Sequence, residues 1–310
     1  MHRHEEFLFP GSILSIARTD YLYPMRTLGA AFYDLKKELS SIYDDREAAA
    51  VAHEILNHIT GMSKMDRLMQ KDAALTEVQD ALYADARKHL IAGRPLQYVI
   101  GSAWFMERQF VVNDHVLIPR PETEELVQWI VLDHQDKGAI NIIDIGTGSG
   151  IIPISLQLAM PAATVTAIDI SEGALEVAAS NAVALGADVH FMALDILDRE
   201  QQNNTGLYHV IVSNPPYIPE SEKEHMHSNV KDHEPAIALF VPNDDAMLFY
   251  REIAQYGRTH LEQHGCIYCE LEANHAIEAK LLFEQMGYVY VEIRKDMHDN
   301  WRMIKAVAAQ

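Results

Sequence analysis

The chain has 310 residues, enough for one large or two ordinary domains with ample core. Apolar residues make up 48% and charged residues 23%, a globular balance, and no apolar run approaches the roughly 18 residues of a membrane span. With 25 basic against 45 acidic residues the net charge is −20, a surface that repels a polyphosphate backbone and argues against a nucleic-acid substrate.

Met1 to Pro10, with His2, Arg3, Glu5 and Glu6, carry no signal-peptide pattern, so a cytoplasmic protein is expected. Residues 1–24 lack periodicity and read as an extension, either disordered or the product of an upstream start, with Met25 as the other candidate start. Leu28, Ala31, Phe32, Leu35 and Leu39 then recur at helical spacing. A second helix follows the capping pair Asp44-Asp45, carries Ala48, Val51, Ala52, Ile55, Leu56 and Ile59 on one stripe, and stops at Gly61. A third begins near Thr76, with Val78, Leu82, Ala86 and Leu90 as its apolar face. Residues 25–93 thus predict a small helical bundle without catalytic groups, suited to recognising a partner or covering a site.

Residues 94–115 read as a linker containing a β-hairpin, with strands at Gln97–Gly101 and Gln109–Asn113. From 116 to 310 the pattern is that of a catalytic domain. Pro121 suits the first turn of a helix whose acids Glu122, Glu124 and Glu125 favour its N-terminus, and Arg120 and Glu122 are placed to act in a lid. Strand and helix then alternate, which predicts a parallel, doubly wound sheet. Ile140–Asp144 is a strand, and Gly146-Thr147-Gly148-Ser149-Gly150 is a turn whose glycines let a ligand approach the backbone closely. A second strand, Thr164–Asp169, ends in a carboxylate about 20 residues beyond the turn, the spacing of a ribose-binding acid. A third ends at Asp195-Ile196. A fourth, Tyr208–Val212, runs into Ser213-Asn214-Pro215-Pro216-Tyr217.

Paired prolines offer carbonyl acceptors without N–H donors, Asn214 adds a side-chain carbonyl, and Tyr217 adds an aromatic face. Two convergent acceptors and a ring suit a planar –NH2 group held with its nitrogen exposed. The cofactor follows from the turn. A dinucleotide fold wants glycines at positions one, three and six, but position six here is Ile151, and no second mononucleotide-binding half follows. Asp144, just before the turn, is placed to accept from an ammonium group. These features favour S-adenosylmethionine, which has ribose, adenine and a zwitterionic tail but no pyrophosphate. Cys266 and Cys269 share a predicted strand and match half of a zinc site with no second half, so they read as buried thiols, and no metal is expected. Strands at Gly265–Leu271, Tyr288–Ile293 and Trp301–Val307 complete the sheet, the last two as a close antiparallel pair. The fold class is therefore α/β, a seven-stranded doubly wound S-adenosylmethionine-dependent methyltransferase fold with a small N-terminal helical bundle. The loop 219–243, rich in His and Glu, is expected to order on substrate.

Four motifs carry a resemblance: Leu-Ile-Pro-Arg-Pro-Glu-Thr-Glu (117–124), Asp-Ile-Gly-Thr-Gly-Ser-Gly (144–150), Val-Ser-Asn-Pro-Pro-Tyr-Ile-Pro (212–219) and Glu-Pro-Ala-Ile-Ala-Leu (234–239). Together the chain over 25–310 resembles the peptide-chain release factor glutamine methyltransferases. The resemblance implies that Gly146, Thr147, Gly148, Ser149, Gly150 and Asp169 bind S-adenosylmethionine, released as S-adenosylhomocysteine, with Asp169 on the ribose and the Asp195-Ile196 turn against the adenine. Asn214 to Tyr217 would hold the glutamine of the Gly-Gly-Gln motif in release factors, the expected protein partners. Two departures stand out. Ile196 occupies a place where the family often has an aromatic residue, and Val241-Pro-Asn-Asp replaces a usual glycine-rich turn. The rival reading, from Asn-Pro-Pro-Tyr alone, is an adenine-N6 methyltransferase acting on DNA or RNA, which the acidic surface disfavours.

Overall fold

A computed structural model describes residues 25–203 and 205–309, so the predicted extension at 1–24 lies outside the described residues. The N-terminal bundle consists of α1 (Leu28–Leu39), α2 (Asp45–Thr60), α3 (Lys64–Met69) and α4 (Glu77–Ile91). Asp44 caps α2 by accepting from the N–H groups of Arg46 and Glu47, and Gly61 ends it in the left-handed region. Thr76 and Gln79 form a reciprocal capping box on α4. Leu35, Leu39, Ile55 and Leu56 interlock in the core, and Tyr83 donates to the Ala31 carbonyl at 2.9 Å. That tyrosine reorients α4. Its inner face is Tyr83, Ala86 and Leu90, while Val78 and Leu82, expected inside, are exposed.

The linker also differs from expectation. Residues 97–101 do not form a strand. They lie in α5 (Leu96–Ile100), a single turn that starts after Pro95 and closes when the Gly101 N–H reaches the Gln97 carbonyl. The hairpin is made instead by β1 (Ser102–Phe105) and β2 (Arg108–Val111). Met106 and Glu107 turn it, both at positive φ, and Glu124 at the start of the next helix accepts from the Met106 N–H.

The rest of the chain runs α6 (Pro121–His134), β3 (Asn141–Ile145), α7 (Ile151–Ala159), β4 (Thr164–Asp169), α8 (Glu172–Leu185), β5 (Val189–Ala193), α9 (Arg199–Gln202), β6 (Tyr208–Ser213), β7 (Ile218–Pro219), α10 (Ser228–Lys231), β8 (Phe240–Val241), α11 (Leu248–His260), β9 (Leu261–Glu270), α12 (Ala276–Gln285), β10 (Tyr290–Lys295) and β11 (Trp301–Val307). Seven strands form one sheet in the order β10-β11-β9-β6-β3-β4-β5. β5, β4, β3, β6 and β9 are parallel, and β11 is antiparallel to both neighbours. Alternate strand residues feed two cores. Ile143, Ile211, Ile267 and Ile304 pack under α11 and α12, whereas Ile142, Val165, Val210 and Tyr268 pack under α6 and α7. Both faces are covered, as a doubly wound sheet requires. Cys266 and Cys269 are buried in β9.

The segment between β6 and α11 is folded and anchored at both ends. β7 pairs with β8, and Asn243 in the Val241-Pro-Asn-Asp turn accepts from the Ser221 N–H at 2.6 Å. Its middle reaches the bundle, where Asn229 donates to the Tyr43 hydroxyl at 2.7 Å.

Gly150 caps α7 at φ 79°, and a Cβ there would stand 2.9 Å from Ile154 and 3.0 Å from Ala178. It is the fifth residue of the turn, yet it supplies the close helix packing that dinucleotide folds obtain at position six. Replacing it with Ala adds left-handed strain to overpacking, at a cost of about 2–4 kcal/mol. Gly150→Ala is therefore expected to melt lower than Gly146→Ala, whose Cβ meets nothing within 4 Å. Equal midpoints in thermal unfolding would contradict this packing role.

Candidate active site

The site opens at the carboxyl ends of β3, β4, β5 and β6. After β3 the glycine turn folds against β4, with the Gly146 and Thr147 N–H groups on the Ile168 carbonyl at 2.9 and 3.0 Å. Gly146 and Gly148 take positive φ and present open space where a side chain would stand. Asn181 of α8 holds the far side of the turn by donating to the Ser149 carbonyl at 2.9 Å.

Asp169 at the end of β4 receives the Gly148 and Ser171 N–H groups, one on each oxygen, both at 2.9 Å. Burial raises its pKa, and those backbone bonds oppose the rise. Asp144, at the end of β3, is fully buried beneath the turn. Neither of its oxygens has a partner at full hydrogen-bond geometry, although the Thr147 hydroxyl, itself without another partner, lies close enough to favour the charged carboxylate. Burial pushes the Asp144 pKa up to about 7, the Asp169 charge adds to the rise, and only the Thr147 hydroxyl opposes it.

The turn and Asp169 border a cavity of about 220 Å³, and Asp144 lies beneath the turn without lining it. Gly146, Thr147, Gly148, Ser149, Asp169, Ile196, Asn214, Pro215 and Pro216 all line it. Gly150 does not, because it faces α8. Tyr217 does not either: it packs into the core under α11, and its hydroxyl lies 3.4 Å from the Glu270 carboxylate. Ile170, Leu194, Asp195 and Leu197 continue the wall from β4 and β5. Phe249 and Ile253 of α11 close it behind Ile196. Phe249, from a helix distant in sequence, thus adds to the wall an aromatic ring that Ile196 does not supply.

Residues 115–120 and 237–238 also line the cavity. Arg120 pairs with Glu234 at 2.7 Å, and the Glu234 side chain is almost wholly buried. This ion pair fastens the start of α6 to the Glu-Pro-Ala-Ile-Ala-Leu segment. Asn214 is itself anchored, with its Nδ2 3.2 Å from the Thr123 hydroxyl, which donates in turn to Glu270 at 2.6 Å. Thr123, Phe249, Ile237 and Glu270 escaped the sequence reading. The signal for Thr123 was present, since it sits inside the Pro-Arg-Pro-Glu-Thr-Glu motif at helical register behind Arg120.

A seven-stranded sheet of this order, with a glycine turn and an acid on neighbouring strand ends and no glycine at position six of the turn, defines the Rossmann-like methyltransferase class. Family models agree: a methyltransferase small domain matches residues 124–232, and a PrmC N-terminal domain matches residues 31–101. A solved structure of the hMettl16 catalytic domain, in complex with the MAT2A 3′UTR hairpin 6, shares the fold at a TM-score of 0.52 and 15% identity, over 74% of this chain and 84% of that one. The chain is 38% identical to the release factor glutamine methyltransferase of Flavobacterium psychrophilum, over 86% of this chain and 94% of the relative. It is 39% identical to that of Bacteroides thetaiotaomicron, over 88% and 97%. The chain belongs to the release factor glutamine methyltransferases.

Asp144 predicts a pH signature. Its folded pKa lies above its unfolded value, so the native state holds an extra proton between about pH 4 and 7. Stability contributed by that proton is lost as pH rises through this window and is flat above it. Without added cofactor, Asp144→Asn is expected to melt higher than wild type at pH 8, by several degrees. The gap should close as pH falls toward 4. Parallel melting curves across the range would contradict the orphaned-carboxylate assignment.

Proposed function

We propose that the chain transfers the methyl group of S-adenosylmethionine to the side-chain amide nitrogen of the glutamine in the Gly-Gly-Gln motif of release factors, using Asn214 and Pro215 to hold that amide. The observation carrying the assignment is that Asn214-Pro215-Pro216 and the Gly146–Ser149 turn with Asp169 border one cavity. The residues fit the cofactor. The open backbone at Gly146 and Gly148 leaves room for its tail, and the buried Asp144 carboxylate beneath the turn favours positive charge above it. Asp169 suits the ribose hydroxyls, and Ile170, Ile196, Leu197 and Phe249 offer an apolar slot for the adenine. When bound, S-adenosylmethionine supplies an electrophilic methyl group on a sulfonium centre.

What the chain itself supplies is geometry and electrostatics. An amide nitrogen is a poor nucleophile because its lone pair is delocalised into the carbonyl. The Asn214 side-chain oxygen and the Pro215 carbonyl accept its two hydrogens, fix its orientation and stabilise the positive charge that develops on it. No N–H from Pro215 or Pro216 competes, because neither residue has one. The apolar wall and the Arg120–Glu234 clasp limit water at the reacting atoms. No strong base is required, since the nitrogen's proton leaves to water after transfer. Tyr217, turned toward Glu270, supports the motif from behind.

The bundle is joined to the 219–243 segment through Tyr43 and Asn229, and Ile237 and Ala238 of that segment line the cavity, so this reading gives the two a part in docking a protein substrate. This reading puts the protein in the cytoplasm, where release factors act. Among the described residues no helix is long and apolar enough to cross a membrane. Nothing favours the adenine-N6 alternative over the family's own substrate.

Asn214→Ala is expected to lower kcat by about 10²- to 10³-fold with cofactor affinity nearly intact. Turnover close to wild type would remove Asn214 from the role. Asp169→Ala is expected to weaken cofactor binding in calorimetry by about tenfold or more. An unchanged Kd would take Asp169 out of the site.

A further inference from the structure

We propose that Thr123 and Glu270 are positioning residues that decide which end of the Asn214 amide faces the substrate. The inference rests on the reading of Asn214 as the residue that holds the substrate amide. Only its oxygen serves that purpose. The side-chain amide is nearly symmetric in shape, so a half-turn about its last bond places an NH2 where the oxygen should be. An NH2 directed at the substrate's own NH2 sets donor against donor, so the correct face has to be imposed from outside.

Thr123 imposes it through proton counting. Its hydroxyl oxygen lies 2.6 Å from Glu270 Oε2 and 3.2 Å from Asn214 Nδ2. A hydroxyl carries one hydrogen, and a carboxylate is an acceptor only, so at that separation the hydrogen belongs to the Thr123–Glu270 bond. Toward Asn214 the hydroxyl retains only lone pairs, so Asn214 must present its NH2 to Thr123. The amide oxygen then faces the cavity, free to accept from a ligand.

Each member of the chain is held in turn. Thr123 occupies the first turn of α6, directly after the helix-starting Pro121 and Glu122. Glu270 ends β9, is fully buried, and does not itself border the cavity. The Tyr217 hydroxyl faces its other oxygen, and Tyr250 donates to its backbone carbonyl at 3.1 Å. Burial pushes the Glu270 pKa up, and the Thr123 hydroxyl and the positive charge of nearby Arg302, itself fastened to Asp296 at 3.1 Å and to the Leu271 carbonyl at 3.2 Å, oppose that rise. A buried carboxylate out of reach of the substrate is otherwise a costly group to keep. Its function is to withdraw one proton from Thr123.

The test is steady-state methylation of a purified release factor, with cofactor Kd by calorimetry, for Thr123→Val, Thr123→Ser, Glu270→Gln and Asn214→Ala. Valine keeps the shape of threonine and removes the hydroxyl. Thr123→Val is expected to lose about tenfold or more in kcat while cofactor Kd stays within about twofold. Thr123→Ser should recover to within about threefold of wild type, which a purely steric role would not produce. Glu270→Gln, neutral and no longer obliged to take the hydroxyl's proton, should lower kcat several-fold and decides the matter if the valine variant fails to fold. Wild-type kcat in Thr123→Val or in Glu270→Gln overturns the proposal, as does a serine variant as impaired as the valine one. If Asn214→Ala is active, the reading of Asn214 itself has failed. If Asn214→Ala is inactive and Thr123→Val is not, only the positioning chain has failed.

Discussion

The site depends on the register of three parallel strands. Ser213 of β6 pairs with Ile145 of β3, and Ile145 pairs with Ile168 of β4, so these residues form one row across the sheet. The next residue on each strand is Asn214, Gly146 and Asp169. Asn214, the glycine turn and Asp169 therefore leave the sheet side by side, although their positions in the chain are far apart. A slip of one residue would turn each of these side chains to the opposite face and break the row. Burial on both faces forbids that slip, because Ile142 and Ile143, and likewise Val210 and Ile211, are committed to opposite cores. Packing far below the cavity thus sets the alignment of the chemistry above it.

Charge is arranged around this row with economy. The chain carries a net charge of −20, yet four carboxylates lie in or beside the site: Asp144, Asp169, Glu234 and Glu270. Three are compensated within the fold. Glu234 has Arg120, Asp169 has backbone N–H groups from the turn and α8, and Glu270 has Thr123 with Arg302 close by. Asp144 alone lacks a partner, and it is the one that lies directly under the glycine turn. An unsatisfied buried acid is a standing cost in the free protein and a source of affinity for a cationic ligand.

How much of this was legible in the sequence follows from the range of each interaction. The strand ends at Asp169 and Val307 were readable because apolar runs are local, and so were the helix cap at Asp44 and the helix start near Thr76. The hairpin strand was misplaced by a few residues, since its two-residue turn uses Met106-Glu107 rather than a glycine or asparagine, and the β-branched run near Val99 is a helical turn between Pro95 and Gly101. The face of α4 was misjudged because Tyr83, an amphipathic ring, is drawn inside by a carbonyl on α1. Glu270 was invisible in its role: its partner Thr123 lies 147 residues away, and no local pattern encodes such a pair. Tyr217 was given a place on the substrate by its neighbours in the motif, but the chain bends after Pro216 and carries its ring behind the cavity.

The most direct measurement is of the product. Purified release factor would be incubated with the protein and isotopically labelled S-adenosylmethionine, with duplex and single-stranded nucleic acid offered in parallel, and peptide mass spectrometry would locate the label. The account predicts one methyl group on the side-chain nitrogen of the glutamine in Gly-Gly-Gln and none on nucleic acid. Label on an adenine, or on any other residue of the release factor, would contradict it.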